Sequence, residues 1–196
     1  MTKGEDTKAA ILRTALERAS RDGFLGLSLG SLAQETGLSK SGLFAHFGSK
    51  EDLQLQVLDA SVEAFVEHVV APALRKPRGL PRVRALFDGW LQWSQELSGG
   101  CVFLAIASDL DDKSGPVRDK LVAYQRDWSD NLAIAASIAV AEGHFREDLD
   151  TRQFAHEFSG VYLAYHHHSR LMRDPEAESR ARAAFEGLIE RSSARS

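Results

Sequence analysis

Hydroxyl and cationic side chains follow one another in the short stretch from Thr36 to Lys50. The stretch contains two lysines and a histidine but no carboxylate, although the whole chain carries a formal net charge of −4. Hydroxyl groups, ammonium groups and unpaired backbone amides are the groups that hold phosphate oxygens. The sequence contains no nucleophile motif, phosphate-binding glycine loop or metal-ligand spacing. The stretch therefore predicts a local surface for a polyanion, and the chain is expected not to be an enzyme.

Two short helices are predicted to position these side chains. Apolar spacing indicates helices over about Leu29 to Thr36 and Ser39 to Ala45, and Gly37 lies between them, where a sharp turn needs a positive φ. Two helices joined by a short glycine-containing turn form a helix-turn-helix, whose second helix enters the major groove of DNA. Lys40 and Lys50 add positive charge near the two ends of that second helix. An ordinary helical hairpin with solvated lysines is the alternative interpretation.

Helical periodicity continues through the rest of the chain, and no run of alternating β-branched residues indicates a strand. About nine helices are predicted, which makes the fold class all-α. Ser39 can cap the second short helix, and Ser49 with Asp52 has the spacing of a capping box that opens a long fourth helix. Arg75 to Pro81 is the predicted connector to the next helix. The small polar tail Ser192 to Ser196 is expected to fray.

A longer motif overlaps the second short helix and the start of the fourth. Its sequence from Leu38 to Leu53, LSKSGLFAHFGSKEDL, resembles the DNA-binding signature of the TetR/AcrR family. The resemblance implies an N-terminal three-helix DNA-binding domain over residues 1–48 and a C-terminal helical bundle for effector binding and dimerisation over residues 49–196. It implies a bacterial transcriptional repressor that binds palindromic double-stranded operator DNA as a homodimer and is released by a small molecule. The last two helices resemble the family's dimer interface, with an apolar face on the last helix formed by Ala177, Ala181, Ala184, Phe185 and Leu188.

The resemblance also implies which residues contact DNA. Those at positions that touch phosphates or base edges in the family are Ser28, Ser39, Lys40, Ser41, Phe44, His46 and Lys50. The chain departs from the family pattern at three positions. Gly30 stands where many members carry an arginine or another polar residue, Gly42 where threonine or alanine is usual, and Phe44 replaces a tyrosine. Because Phe44 lacks a hydroxyl that could bond a phosphate, affinity is expected to depend more on the lysines and the histidine.

Aromatic side chains recur at helical spacing in the C-terminal region, where the family builds its effector cavity. The predicted ligand-binding residues are Phe65, Trp90, Phe103, Tyr124, Trp128, Phe158, Tyr162 and His166. Aromatic residues at such spacing are also typical of a packed core, so both interpretations stay open. The aromatic, weakly polar character of this set fits a small hydrophobic or aromatic effector of unknown identity.

Several other features limit the range of functions. His166, His167 and His168 are consecutive on a helix, so their rings point about 100° apart and do not converge on one metal ion. Cys101 stands beside apolar residues, which favours a buried and inert thiol. No cofactor is indicated, and a helical DNA-binding or scaffold protein without an effector stays open as the alternative function. The polar N-terminus and the lack of a long apolar run predict a cytoplasmic protein without membrane contact.

Overall fold

A computed structural model describes residues 3–194 of the chain. Helices dominate this range, in agreement with the all-α prediction. None of the helices in the described range is both long and apolar enough to cross a membrane. The α-helices are α1 (Lys3–Asp22), α2 (Leu29–Thr36), α3 (Lys40–His46), α4 (Lys50–Phe65), α5 (Ala71–Leu74), α6 (Leu80–Glu96), α7 (Val102–Leu110), α8 (Pro116–Ala141), α9 (Thr151–His166) and α10 (Ala177–Ser192).

Two π-helical turns continue α-helices beyond their last regular turn. Val66–Val70 joins α4 to α5, and the flanking residues keep right-handed helical dihedrals, with φ −62° and ψ −42° at Phe65 and φ −62° and ψ −41° at Ala71. His167–Leu171 extends α9 in the same way. Because α4, the π turn and α5 form one uninterrupted helix, residues 3–194 contain nine helical segments, the predicted number.

The helix starts follow local capping chemistry. α6 begins at Leu80, inside the predicted connector, because Pro81 occupies its first turn, where a missing N–H costs nothing. α9 begins after Asp150, whose carboxylate accepts hydrogen bonds from the amides of Arg152 and Gln153, both at 3.0 Å. Because α6 begins at Leu80, the connector before α6 is shorter than predicted.

The first compact unit consists of the residues up to Ala64 together with Gln95–Ala123. In it, α1 packs against α2 and α7, and α2 packs against α3. Each large aliphatic side chain that is fully buried contributes about 1.5–3 kcal/mol. Almost fully buried side chains of this core are Ile11, Ala15, Leu27, Leu32, Leu43, Phe47, Leu53 and Val57. The core thus fixes α2 and α3, which carry the predicted DNA contacts.

The second compact unit consists of Phe65–Ser94 and the residues from Tyr124 onward. Aromatic rings form much of its interior. Phe87 stacks on Phe185 with ring centroids 3.9 Å apart, and Phe158 meets both rings edge-on. Such aromatic pairs contribute about 0.5–1.5 kcal/mol beyond the burial of their area. These contacts join α6, α9 and α10.

The end of the chain is fixed as far as Ala194, so the prediction of a frayed tail is wrong for this part. Ser192 is buried, and its carbonyl accepts a hydrogen bond from the Arg146 amide at 2.9 Å. The Ala194 amide donates to the His144 carbonyl at 3.1 Å. The rest of the predicted tail, residues 195–196, lies outside the described range. The composition of the tail indicates fraying, but backbone pairing with a distant loop outweighs it.

Candidate nucleic-acid interface and ligand cleft

The first helix of the helix-turn-helix begins at a serine cap. Ser28, the N-cap of α2, has an extended backbone, and its Oγ accepts a hydrogen bond from the Ser31 amide at 3.1 Å. The Ser31 hydroxyl donates to the Ser28 carbonyl at 3.0 Å. Ser28 is nevertheless exposed. The cap therefore fixes the start of α2 and keeps a hydroxyl group at the surface.

A left-handed glycine turns the chain between α2 and α3. Gly37 has φ 69° and ψ 17°, a conformation that costs residues with a Cβ about 1–2 kcal/mol. The Gly37 amide donates to the Gln34 carbonyl, and the Leu38 amide donates to the Ala33 carbonyl at 3.0 Å. These bonds satisfy carbonyls that the end of α2 leaves unpaired. The glycine turn predicted at this position is present.

α3 has one buried and one exposed face. Ser39 caps the helix by accepting a hydrogen bond from the Gly42 amide at 3.0 Å. Leu43 lies in the core of the first unit and is fully buried. Phe44, in contrast, keeps 50% of its surface exposed. The exposed residues of α3 and its cap include Ser39, Lys40, Ser41 and Phe44.

Lys40 reaches from α3 towards the start of α2. A Cβ placed on Gly30 would lie 3.5 Å from Lys40 Cε, 3.9 Å from Lys40 Nζ and 4.0 Å from Ser28 Oγ. The ammonium group therefore lies beside the N-terminus of α2, whose unpaired amides and helix dipole favour anions. A long side chain at position 30 would compete for this space. The departure from the family pattern at Gly30 thus leaves room for Lys40.

His46 and Lys50 flank the end of the helix-turn-helix. His46 is half-buried, whereas Lys50 is exposed in the first turn of α4. The hydroxyl half of the predicted capping box is present there, because the Asp52 amide donates to Ser49 Oγ at 3.0 Å. The Asp52 carboxylate accepts a hydrogen bond from the Gly48 amide at 3.2 Å. All seven predicted DNA contacts lie in the first unit, and six of them are exposed.

Five of the predicted ligand-binding aromatic residues lie in the second unit, where their rings contact other aromatic rings at three different places. Phe65 meets Trp128 edge-on, with ring centroids 4.9 Å apart. The ring centroids of Trp90 and Tyr162 lie 4.9 Å apart, and both side chains are buried. Phe158 belongs to the stacked aromatic core of that unit. These rings pack against protein neighbours, and Trp128 is the one of the five that keeps partial exposure.

The other three predicted ligand-binding residues are partly buried. Phe103 lies in α7 of the first unit, and Tyr124 lies in α8 of the second. His166 lies at the end of α9, where burial lowers the pKa of its imidazole, and the positive charges of Arg170 and His167 lower this pKa further. His166 therefore favours the neutral form.

Trp128 lines an open cleft in the second unit. The cleft has a volume of about 130 Å³ and lies among α5, α6 and α8. It is lined by Val70, Ala73, Leu74, Gly79, Arg82, Leu86, Trp128, Asn131, Ile134, Ala135 and Ile138. Of these residues, the sequence predicted only Trp128 as a ligand contact. The aliphatic lining residues carried no signal in the sequence, and Arg82 was marked only by its place in a run of five cations without a carboxylate between residues 75 and 84.

The face of α10 predicted to meet a partner subunit is used mostly within the chain. Ala177, Ala181, Phe185 and Leu188 are buried in the second unit, whereas Ala184 is exposed. The prediction of a free interface is therefore wrong for the four buried residues, because α10 packs against α9 of the same chain. Exposed small or apolar residues in α9 and the π turn that follows it include Gly160, Leu163, Ala164 and Leu171.

Comparison with known families gives two matches that together cover most of the chain. The family described as bacterial regulatory proteins, tetR family, matches residues 11–57. The family described as tetracyclin repressor-like, C-terminal domain, matches residues 79–185, which is more than half of the chain. No curated protein sequence matches the chain significantly.

Solved structures share the fold at low sequence identity. A TetR-family regulator from Cytophaga hutchinsonii is 18% identical, with a TM-score of 0.86 and coverage of 100% of this chain and 99% of that one. A regulator from Saccharomonospora viridis, solved with choline, is 20% identical, with a TM-score of 0.83 and coverage of 97% and 100%. AibR, solved with isovaleryl coenzyme A and operator DNA, is 23% identical, with a TM-score of 0.71 and coverage of 93% and 96%. The chain belongs to the TetR family of bacterial transcriptional regulators, which bind operator DNA through a helix-turn-helix, dimerise, and bind small ligands in a C-terminal helical domain.

Proposed function

We propose that the chain represses transcription as a homodimer on a palindromic operator and leaves the operator when a small hydrophobic or aromatic effector binds. The observation that carries the proposal is the exposed polar face of α3, held on a fixed helix-turn-helix in a chain of the TetR family. Two regulators of similar fold support the effector part, since one binds choline and AibR binds isovaleryl coenzyme A and operator DNA.

The proposed DNA contacts divide into phosphate and base contacts. Ser28 and Lys40 hold one phosphate at the N-terminus of α2, where Lys40 Nζ and Ser28 Oγ lie 3.9 and 4.0 Å from a Cβ placed on Gly30. Ser41 and Phe44 reach base edges from the exposed face of α3, and the ring of Phe44 suits an apolar group such as the thymine methyl. Further phosphate contacts come from Ser39, His46 and Lys50.

Dimerisation is proposed because the recognition helix α3 is short. One short helix reads only a few base pairs, so specificity requires two half-sites about 34–36 Å apart, or multiples of that spacing, read by a two-fold dimer. Leu163 of α9 is 51% exposed, and Leu171, in the π turn that follows it, is 73% exposed. A partner subunit that covers these side chains removes apolar surface from water and stabilises the dimer.

The effector is proposed to act by shifting a population. A ligand that binds more tightly to the conformation with poor operator affinity lowers the fraction of operator that is occupied. The size of this effect is set by the ratio of the ligand's affinities for the two conformations. Under this proposal residues 1–48 read DNA and residues 49–196 bind the effector and the partner subunit. Trp128 contacts the ligand directly, and Phe65 supports its ring edge-on. The remaining predicted contacts are Trp90, Phe103, Tyr124, Phe158, Tyr162 and His166.

The proposal is tested with the DNA upstream of the chain's own gene. Fluorescence anisotropy is measured for a duplex that contains an inverted repeat and for a scrambled duplex of the same composition, each with and without a library of small aromatic and aliphatic compounds. We expect binding of the repeat to exceed binding of the scrambled duplex by about 10³-fold or more. At least one compound is expected to release the repeat.

The control is Lys113→Gln, which removes an exposed lysine outside the helix-turn-helix. Equal affinity for both duplexes would contradict operator recognition. Specific binding that no compound releases would favour the alternative, a helical DNA-binding protein without an effector.

A further inference from the structure

Most of the residues that line the cleft of the second unit are apolar. Its lining is formed mostly by aliphatic side chains and the indole of Trp128, with Asn131 as a neutral polar residue and Arg82 as the one charged lining residue. Leu74 and Ile134 stand at this cleft and are each 56% exposed. Large aliphatic side chains on two different helices thus keep apolar surface in water at one place. A ligand with an apolar body would cover that surface.

A hydrogen bond restrains the guanidinium of Arg82, a residue that lines the cleft. Its Nε donates a hydrogen bond to the Lys76 carbonyl at 2.9 Å. This bond uses only the Nε donor, and within residues 3–194 no ion pair joins Arg82 to a carboxylate, so its two terminal nitrogens stay available to a ligand. A guanidinium positioned in this way matches the two oxygens of a carboxylate.

The surrounding charge also favours an anion. Residues 75–84 contain five cations and no carboxylate. Arg78 is neutralised by Glu142, with Nε and Oε1 2.8 Å apart, and Arg84 is neutralised by Glu186, with Nη2 and Oε2 2.8 Å apart. Within the described part of the chain, the positive charge of Arg82 is not balanced in this way. A local excess of positive charge beside apolar walls attracts a negatively charged ligand and repels a cation.

The size of the cleft limits the apolar body of the ligand. The volume is about 130 Å³, and an engineered apolar cavity of about 150 Å³ in another protein binds benzene. We propose that this cleft binds a small carboxylate whose apolar body is about the size of a benzene ring, with its carboxylate on Arg82 and its body against Trp128. The inference rests on the proposed function, because it names the chemical class of the effector.

Binding is tested by isothermal titration calorimetry on the full chain with three probes. Benzoate has both the ring and the carboxylate, benzamide is the neutral analogue, and acetate lacks the ring. We expect benzoate to bind at least tenfold more tightly than either of the other two, because benzamide lacks the carboxylate and acetate lacks the ring. Benzoate is also expected to change the fluorescence of Trp128, which lines the cleft.

Four variants locate the site. Arg82→Gln is expected to weaken benzoate binding about tenfold, and Arg82→Lys less, because lysine keeps the charge but not the paired donors. Ala135→Phe fills the cleft and is expected to abolish binding without changing its charge. Arg152→Gln removes an exposed arginine at the start of α9 and is the matched control that leaves binding unchanged. Thermal unfolding of each variant verifies that the fold is kept.

Each outcome decides the inference. Equal binding of benzoate and benzamide, full affinity in Arg82→Gln, or no benzoate binding at millimolar concentration would overturn it. Operator release is measured separately by anisotropy. If benzoate binds the cleft but does not release the operator, the carboxylate site stands and the effector part of the proposed function fails. If an unrelated compound releases the operator equally from wild type and Arg82→Gln while benzoate does not bind, the proposed function stands and this inference fails.

Discussion

Replacing Lys40 by glutamine is expected to weaken operator binding and to reduce its dependence on salt. The ammonium group lies beside Gly30 and Ser28 at the N-terminus of α2, where a phosphate would meet both the charge and unpaired amides. Glutamine has a helix propensity close to that of lysine, and the position is exposed, so α3 is expected to stay folded. The variant therefore removes a charge without removing the element that carries it.

The magnitude follows from counterion release. Each phosphate contact contributes about −0.9 to the slope of log K against log salt, and a dimer loses two such contacts, so the slope becomes shallower by about 1.8. Between 50 and 200 mM salt, this difference amounts to about a tenfold smaller loss of affinity for the variant than for wild type. Affinity itself falls most at low salt, where phosphate contacts contribute most.

Anisotropy titrations of the operator duplex at four salt concentrations measure this slope. Lys113→Gln, which removes an exposed lysine from the loop before α8, is the control and is expected to keep the wild-type slope. A scrambled duplex is included because a phosphate contact weakens binding to every sequence alike. If Lys40→Gln binds more weakly at an unchanged slope, Lys40 does not contact a phosphate and the proposed pairing with Ser28 is wrong.

Three further predictions concern contacts within the chain. Ser39→Ala removes the cap of α3 and is expected to cost about 1 kcal/mol in urea unfolding, whereas Ser39→Asp keeps the cap but weakens operator binding through charge repulsion; equal stability of Ser39→Ala and wild type would contradict the capping role. Phe87→Ala removes a ring stacked on Phe185 and is expected to cost about 3–5 kcal/mol in the same assay, and a loss below 1 kcal/mol would mean that the stacked core does not stabilise the fold. The hydrogen bond from Arg84 lowers the pKa of the Glu186 carboxyl below its ordinary 4.5, so its stabilisation is complete above about pH 4.5 and is lost as the pH falls through the lower value in the folded chain. Because the two side chains are 41% and 48% exposed, Glu186→Gln is expected to change the unfolding free energy by less than about 1 kcal/mol and to flatten the decline of this free energy in acid. An identical pH profile for the variant and wild type would contradict the ion pair.

The helix-turn-helix could be predicted from the sequence because its signals are local. Ser39 caps α3 through an amide three residues away, and Gly37 has the positive φ that the turn needs. A hydrogen bond or a dihedral of this kind depends on only a few neighbouring residues. The position of Lys40 over Gly30 was not predictable in the same way, because it depends on how α2 and α3 pack.

The aromatic residues of the C-terminal region show where sequence reasoning fails. Phe158 and Trp128 occur at similar helical spacing, yet Phe158 is fully buried against other rings and Trp128 lines an open cleft. Periodicity identifies the buried side of a helix but not the partner that covers it. Arg82 carried no ligand-binding signal by itself, since its importance depends on apolar side chains from α5 and α8. The boundary between a DNA-binding domain over residues 1–48 and an effector domain over residues 49–196 stays a prediction.

Packing in the first unit links α1 and the loop before α2 to a segment far along the chain. The Gly99 amide donates to Ser20 Oγ at 3.2 Å, and the Leu25 amide donates to the Asp109 carboxylate at 3.0 Å. A Cβ on Gly99 would lie 2.0 Å from the Ser20 carbonyl carbon, so this close approach to α1 requires glycine. A ligand whose binding free energy depends on the position of this segment would therefore act on α1 through these two hydrogen bonds. This route would add to the direct one along the helix α4.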